Sequence, residues 1–456
     1  MPRLTDLPNE LLYRITSYLD QPAAARLRLV CRAVSEAAKD KVYSSIVLRP
    51  VDESATNFLH ILNTTDLARR VRSCDIYTCA REEEDGVNQD EKFLSGAWNA
   101  CFTRFPNFKN LAAVSLVFSP KCTSPETDGW EYPESTEFRT RLLGQFFELL
   151  NSEMAHDIKE VSIINLQNLN DESITSSDNF QEVLARVRSL KIYIATEQDE
   201  PSPEYTLHKS EFQIFMDELP STWLQPISSH ITVLSLAQDE PFGYLPKLDL
   251  RSIHFPHLAS LHIGNWTFTH DWQLEWLISH HITLHSLFLL DCSIIYHILP
   301  NDPVDSEGYY TFPYDAENDS VETAEFRYTK RWHDFFDRFR TELPHLHHFR
   351  IGTQPGFAAR SERELPVYLA RTRYMAFRGG GMPTPWIEGP QPWNTTRIKE
   401  YEELDDAPEC DELDRSALER LLTKIGQAKV PSQKGTMEVP GMRWAYHYTV
   451  ENWMGR

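Results

Sequence analysis

Leu7-Pro8-Asn9-Glu10-Leu11-Leu12, leading to Tyr18-Leu19 and then to Arg26-Leu27-Arg28-Leu29-Val30-Cys31-Arg32, is the stretch from which this 456-residue chain is read. Proline has a fixed φ and no N–H, which suits a first helical position, and an acidic residue in that turn is favoured by the helix dipole. Pro8 and Glu10 therefore predict a helix start. Leu7, Leu11, Ile15 and Leu19 recur every four residues with Leu12 and Tyr18 beside them, an apolar stripe on a helical period. Asp20-Gln21-Pro22 ends that helix and restarts the chain, and Leu27, Val30, Cys31, Val34 and Ala38 mark a second amphipathic helix. Residues 1–46 thus predict a helical hairpin, too small to cover its own apolar surface and in need of a neighbour.

The ordered pattern Leu-Pro-x-Glu-Leu-Leu, then Ile and Leu, then Arg-Leu-x-x-Val-Cys-Arg, resembles the F-box. That module docks substrate receptors onto the Skp-type adaptor, and through it the cullin scaffold, of SCF ubiquitin ligases. The resemblance implies Leu7, Pro8, Leu11, Leu12, Ile15, Leu19, Leu27, Val30 and Cys31 as adaptor-facing positions. Many F-boxes carry Trp three residues after this Cys; here the position is Val34. Without the motif, the hairpin would read as a cap on the downstream region, as terminal units of repeat proteins do.

Downstream, the pattern apolar-x-x-apolar-x-apolar returns at Val71/Cys74/Ile76, Leu111/Val114/Leu116, Ile158/Val161/Ile163, Val187/Leu190/Ile192, Ile231/Leu234/Leu236, Leu258/Leu261/Ile263, Leu284/Leu287/Leu289 and Leu346/Phe349/Ile351. Each predicts a short strand, with helical patterns between them, including Thr136 to Leu150, Ser210 to Leu219 and Asp271 to Ser279. Alternating strand and helix imply parallel strands joined by crossovers. The form Leu284-x-x-Leu287-x-Leu289-x-x-Cys292 resembles a leucine-rich repeat, although successive starts lie 26 to 62 residues apart, against about 20–29 in regular arrays. The fold class expected is α/β: an N-terminal α-helical F-box hairpin, then an irregular leucine-rich-repeat-like solenoid of parallel strands at 47–355, then a C-terminal extension at 356–456 that caps it. An ordinary α/β sheet is the alternative. Phe255-Pro256-His257-Leu258, Ile263-Gly264-Asn265-Trp266 and Trp272-Gln273-Leu274-Glu275-Trp276 resemble F-box proteins of filamentous fungi. In the extension, Arg415 to Ile425 reads as a helix capped by Asp414.

A hydrophobic content of 41% with 12% aromatic residues supports packed interiors. The net charge of -22 is uneven, about +3 in the first fifty residues and about -25 in the remainder. An acidic field repels phosphate, so nucleic acid and anionic membrane are not expected partners, and a basic protein is favoured. Seven unpaired-looking cysteines and no apolar signal core point to a reducing compartment, cytoplasmic or nuclear.

No catalytic motif, paired Cys-x-x-Cys or phosphate-binding loop stands out, and no cofactor is expected. His345, His347 and His348 straddle a strand start, so alternation forbids all three from one ion. Side chains between the buried strand positions form a binding face, on which Tyr77, Lys191, Tyr193, His262, Phe288 and Arg350 are the candidate substrate contacts, since aromatic and Arg side chains dominate interface energies. The resemblance implies a non-catalytic substrate receptor for an unidentified protein target; a scaffold that binds the adaptor without a ubiquitination role is the alternative.

Overall fold

The computed structural model describes residues 7–79, 94–120, 122, 134–197, 210–300, 304–310, 325–353, 367–378 and 408–427. The charged stretch Arg81 to Asp90 and the Gly379-Gly380-Gly381 run with Trp386 and Trp393 read as loops in the sequence; they and the aromatic residues from Trp444 onward lie outside the described residues. Two compact units divide the chain, Met1–Glu197 and Gln198–Arg456.

Unit one opens on three helices, α1 (Asn9–Ser17), α2 (Gln21–Leu27) and α3 (Arg32–Tyr43), where a two-helix hairpin was expected. Pro8 caps α1 from one residue outside it. Asp20 caps α2, its carboxylate accepting from the Ala23 N–H at 2.6 Å, with proline in the first turn. Beyond Leu27 the chain tightens, Leu29 and Val30 bonding three residues back, and Cys31 is extended with φ -161° and ψ 168°. The break spans about one helical turn, so the apolar spacing runs through it undisturbed and conceals it from periodicity.

From α3 the chain enters β1 (Ser45–Leu48) and continues through α4 (Asp52–Asn63), α5 (Thr65–Ala68), β2 (Ser73–Tyr77), α6 (Gly96–Phe102), β3 (Ala113–Val117), α7 (Thr136–Leu150), β4 (Glu160–Gln167), α8 (Glu172–Thr175), α9 (Asp178–Leu184) and β5 (Ser189–Ala195). The five strands pair in chain order, all parallel. In register, Cys74, Val114, Val161 and Leu190 form one buried row and Ile76, Leu116, Ile163 and Ile192 the next. Helices covering one face of a parallel sheet leave these rows as the core.

Unit two holds α10 (Ser210–Leu219), β6 (Val233–Phe242), β7 (Ser260–Phe268), α11 (Asp271–Ser279), β8 (Ser286–Leu290), β9 (Ser293–Leu299), β10 (Phe326–Arg327), α12 (Trp332–Glu342), β11 (His348–Gly352), β12 (Tyr374–Arg378) and α13 (Asp411–Lys424). Strands β6, β7, β8 and β11 are parallel neighbours, with Leu234, Leu261, Leu287 and Phe349 in one buried row. β9 leaves this plane to pair with the end of β7, with β10 and with β12. Every one of the eight expected strands is present. The unexpected ones are β1, β9, β10 and β12. β1 carries the pattern as Tyr43/Ile46/Leu48, in register with Cys74 and Ile76, but its first position is the last residue of α3; in β9 (Ser-Ile-Ile-Tyr-His-Ile-Leu) six consecutive residues are buried, so no alternation marks it.

A left-handed backbone position recurs, inside β4 and β7 and just past β8. Asn165, Asn265 and Asp291 each lie two residues past the last patterned apolar residue, and each has a left-handed φ, of 59°, 61° and 52°. Asn and Asp tolerate that region better than other side chains. The Asn165 amide donates to the Phe118 carbonyl at 2.8 Å and that of Asn265 to the Gln238 carbonyl at 2.7 Å; both carbonyls sit two residues past the pattern of the preceding strand. The device thus links successive strands at equivalent positions. Cys292, one residue past Asp291, places its thiol 3.4 Å from the Ile263 carbonyl, and burial pushes that thiol well up.

Gly243 has φ +110°, and a Cβ there would lie within the Trp266 ring and 2.9 Å from the Thr267 carbonyl oxygen. Gly243→Ala is therefore expected to lower the unfolding free energy by about 2–4 kcal/mol, read from urea unfolding.

Candidate functional site

Nine residues of α1 carry two apolar faces. Leu12 and Thr16 point inward: Leu12 packs with Val34 and Ala37 of α3, flanked by Leu7, Leu27 and Cys31, and the Thr16 hydroxyl donates to the Ala37 carbonyl at 3.0 Å. Leu11, Ile15 and Tyr18, at helical spacing on the other side, are 45%, 39% and 78% exposed. Leu29 and Val30, in the break before α3, are 81% and 66% exposed. Of the twelve large apolar side chains exposed among the described residues, six lie between residues 11 and 30. Isolated exposed apolar residues need no explanation, but clustered ones do.

Of the positions expected to face a partner, Pro8, Leu11, Ile15 and Val30 are exposed and Leu7, Leu19, Leu27 and Cys31 half-buried. Leu12 is only 2% exposed and belongs to the domain's own core, which corrects its assignment to the docking face. A four-residue period could not separate it from Leu11, because neighbouring stripes of one short helix look like one broad stripe in sequence. Tyr18 and Leu29, two of the most exposed apolar side chains, were not on the expected docking face; exposure, unlike periodicity, is decided by packing.

A charge cluster joins α3 to the segment around α5. The Arg70 guanidinium, on a side chain 9% exposed, bonds Glu36 at 2.8 Å and Asp66 at 3.2 Å and also contacts Asp40. The Gln21 amide donates to the Val42 and Ser45 carbonyls, both at 2.8 Å, tying the start of α2 to the junction between α3 and β1.

Residues 4–49 match the family model described as F-box-like. The chain carries an F-box-like domain. No curated protein matches the chain. A solved structure of a family 39 glycoside hydrolase from the gut symbiont Bacteroides cellulosilyticus WH2 is similar at 10% identity over 59% of each chain, with a TM-score of 0.17, which supports no argument about fold or activity. The stretch matched to the F-box-like model contains all of α1, α2, α3 and β1. Its helices hold the exposed stripe, and β1 joins it covalently and through backbone pairing to the parallel sheet.

The second set of candidates lies on the sheet faces. In unit one, Tyr77, Lys191 and Tyr193 are half-buried, with the Arg49 guanidinium 3.9 Å above the Tyr77 ring centre. Between them, burial raises the Asp75 carboxyl above its usual range, opposed by a hydrogen bond from Ser115 and by the charges of Lys191 and Arg49. In unit two, Arg350 is half-buried, but His262 and Phe288 are 7% and 2% exposed, so neither offers the accessible contact expected of it. Register explains this. Phe288 is paired with His262 on one side and Arg350 on the other, its ring lies 5.0 Å from that of His348, and His262 Nδ1 is 2.9 Å from the Ser235 hydroxyl. Neighbouring strands close over a large ring that alternation alone leaves outward.

Among the described residues one trio already holds its donor atoms within 4.8 Å of one another, His333, Cys410 and Asp414. Its carboxylate is already engaged. Asp414 accepts from the His333 N–H at 3.0 Å, the Arg373 Nε at 3.0 Å and the Tyr374 hydroxyl at 2.9 Å, and lies 3.0 Å from His333 Nδ1. A cation would compete with a guanidinium already in place, so the cluster is a buried hub. Asp414 was expected to cap the last helix; instead α13 begins at Asp411 with Cys410 as its cap residue, and Asp414 turns inward at 0% exposure. Aspartate is preferred both at caps and in the first turn, so local sequence could not choose between them. Burial pushes the Cys410 thiol up, which keeps it a protonated donor.

Proposed function

We propose that this chain is a substrate-receptor subunit of an SCF-type ubiquitin ligase. Its F-box-like domain binds a Skp-type adaptor, and through it a cullin scaffold, while the strand-bearing region holds a protein target. The observation that carries this reading is the exposed stripe of Leu11, Ile15 and Tyr18 with Leu29 and Val30, on a domain whose core is completed without them. The chain then performs no bond-making step: it raises the local concentration of a target lysine at a conjugating enzyme held elsewhere in the complex. The Arg70 cluster serves this role by fastening the F-box-like helices to the sheet in unit one.

The recurring left-handed Asn165, Asn265 and Asp291 and the in-register apolar rows support reading the strand region as leucine-rich-repeat-like. The half-buried residues Tyr77, Lys191, Tyr193 and Arg350 are its target contacts, and the acidic balance of the chain favours a basic target. All seven cysteines are free thiols, as suits the cytoplasm or nucleus. Among the described residues no helix is long and apolar enough to cross a membrane.

The test is affinity purification from cells with an inhibited proteasome. Adaptor and cullin should co-purify along with ubiquitinated targets. Adaptor without cullin or targets would instead support the scaffold reading, and absence of the adaptor would end the proposal. Tyr77→Ala with Tyr193→Ala should lower target recovery at least about tenfold, the loss of one interface anchor, with adaptor recovery unchanged.

A further inference from the structure

We infer that His285, His345 and His347 form a binding site for a divalent transition-metal ion of the zinc class, at the N-terminal ends of β8 and β11. All three side chains are exposed. The intervening Leu346 is 4% exposed, so His345 and His347 share the outward side while His348 packs against Phe288. Alternation within one strand excludes His345, His347 and His348 as a joint set; the parallel neighbour supplies the third imidazole in place of His348. The backbone fixes that proximity: the His347 and His348 N–H groups both donate to the His285 carbonyl, at 3.0 and 3.1 Å.

The ring centre of His285 lies 5.1 Å from that of His347 and 6.1 Å from that of His345. With metal–nitrogen bonds of about 2.0–2.1 Å, two imidazoles sharing a tetrahedral ion place their ring centres about 5 Å apart. Exposed side chains change rotamer in picoseconds to nanoseconds, so turning the His285 and His345 nitrogens toward His347, whose ring stays where it is, needs no backbone change. One tautomer is already selected. His347 Nδ1 lies 2.6 Å from the His345 carbonyl oxygen, which can only accept, so Nδ1 carries the proton and Nε2 presents its lone pair. A backbone carbonyl orienting a ring through its other nitrogen is the usual outer partner of a metal-bound histidine. Three imidazoles leave a fourth position for water, and a set without thiolate or carboxylate suits zinc, nickel or copper over magnesium or calcium.

The experiment titrates the full chain, first freed of metal by chelation, with zinc ion and reads the heat. One equivalent should bind, and His285→Gln with His347→Gln should weaken that binding at least about a hundredfold, while the melting temperature stays that of the parent because both side chains are exposed. Unchanged zinc affinity in the double variant, or no binding by the parent at millimolar zinc, overturns the inference. Cobalt provides a second readout that needs no variant: ligation by imidazoles gives visible d–d bands alone, whereas a thiolate charge-transfer band would place the ion at Cys410 and overturn it. Neither readout depends on the adaptor or on ubiquitination, so this site and the receptor reading fail separately.

Discussion

Leu11→Asp combined with Ile15→Asp should abolish adaptor co-purification while leaving the melting temperature of the chain within a degree or two of the parent. Both side chains protrude on the outer stripe of α1, at 45% and 39% exposure, and neither belongs to the Leu12, Val34 and Ala37 core. A carboxylate at either site stays hydrated in the free chain, so folding loses little. In a complex each carboxylate would be stripped of water against an apolar partner. Anchors of this kind are worth about 2 kcal/mol or more each, so the pair should cost at least three orders of magnitude in affinity. Leu12→Asp is the control: it should unfold the F-box-like helices, because a charge would enter a site only 2% exposed. Retained adaptor binding in the folded double variant would remove the receptor proposal. Loss of binding only on unfolding would show that the stripe is not the contact.

The second large effect concerns the far end of the chain. Asp414→Ala should destabilise unit two by about 3–5 kcal/mol, the usual result of removing one partner of a buried ion pair. The Arg373 side chain, 10% exposed, would lose its buried partner and keep Asp411, whose own side chain is 78% exposed. The His333 N–H, the Tyr374 hydroxyl and the Cys410 thiol would lose an acceptor together. Because α13 packs on α12 around this carboxylate, amide hydrogen exchange in Asp411–Lys424 should accelerate most. Asp411→Ala is the matched control and should cost below about 1 kcal/mol, since an exposed pair contributes little. Equal effects from the two variants would mean that Asp414 is not the hub.

The contrast between Asp411 and Asp414 shows where reading a chain in one dimension stops. Every strand that carried the six-residue apolar pattern formed, in parallel and in register, because a half-buried strand must alternate and its spacing is written locally. The ordered Leu-Pro-x-Glu-Leu-Leu and Val-Cys-Arg segments coincide with the matched F-box-like stretch. The break at Leu29–Cys31, the burial of Leu12 and the inward turn of Asp414 left no such trace, since in each case the same residue types serve either outcome.

The eight patterned strands, the apolar rows that make the core and the presence of an F-box-like module follow from residue order, because they rest on contacts a few residues apart or on periodic burial. Which leucine of α1 is exposed, whether Phe288 is accessible, and that His285 lies beside His345 and His347 rest on contacts across 20 to 60 residues or more. Those were settled only when neighbouring elements packed, since exposure and convergence are properties of what lies opposite a side chain.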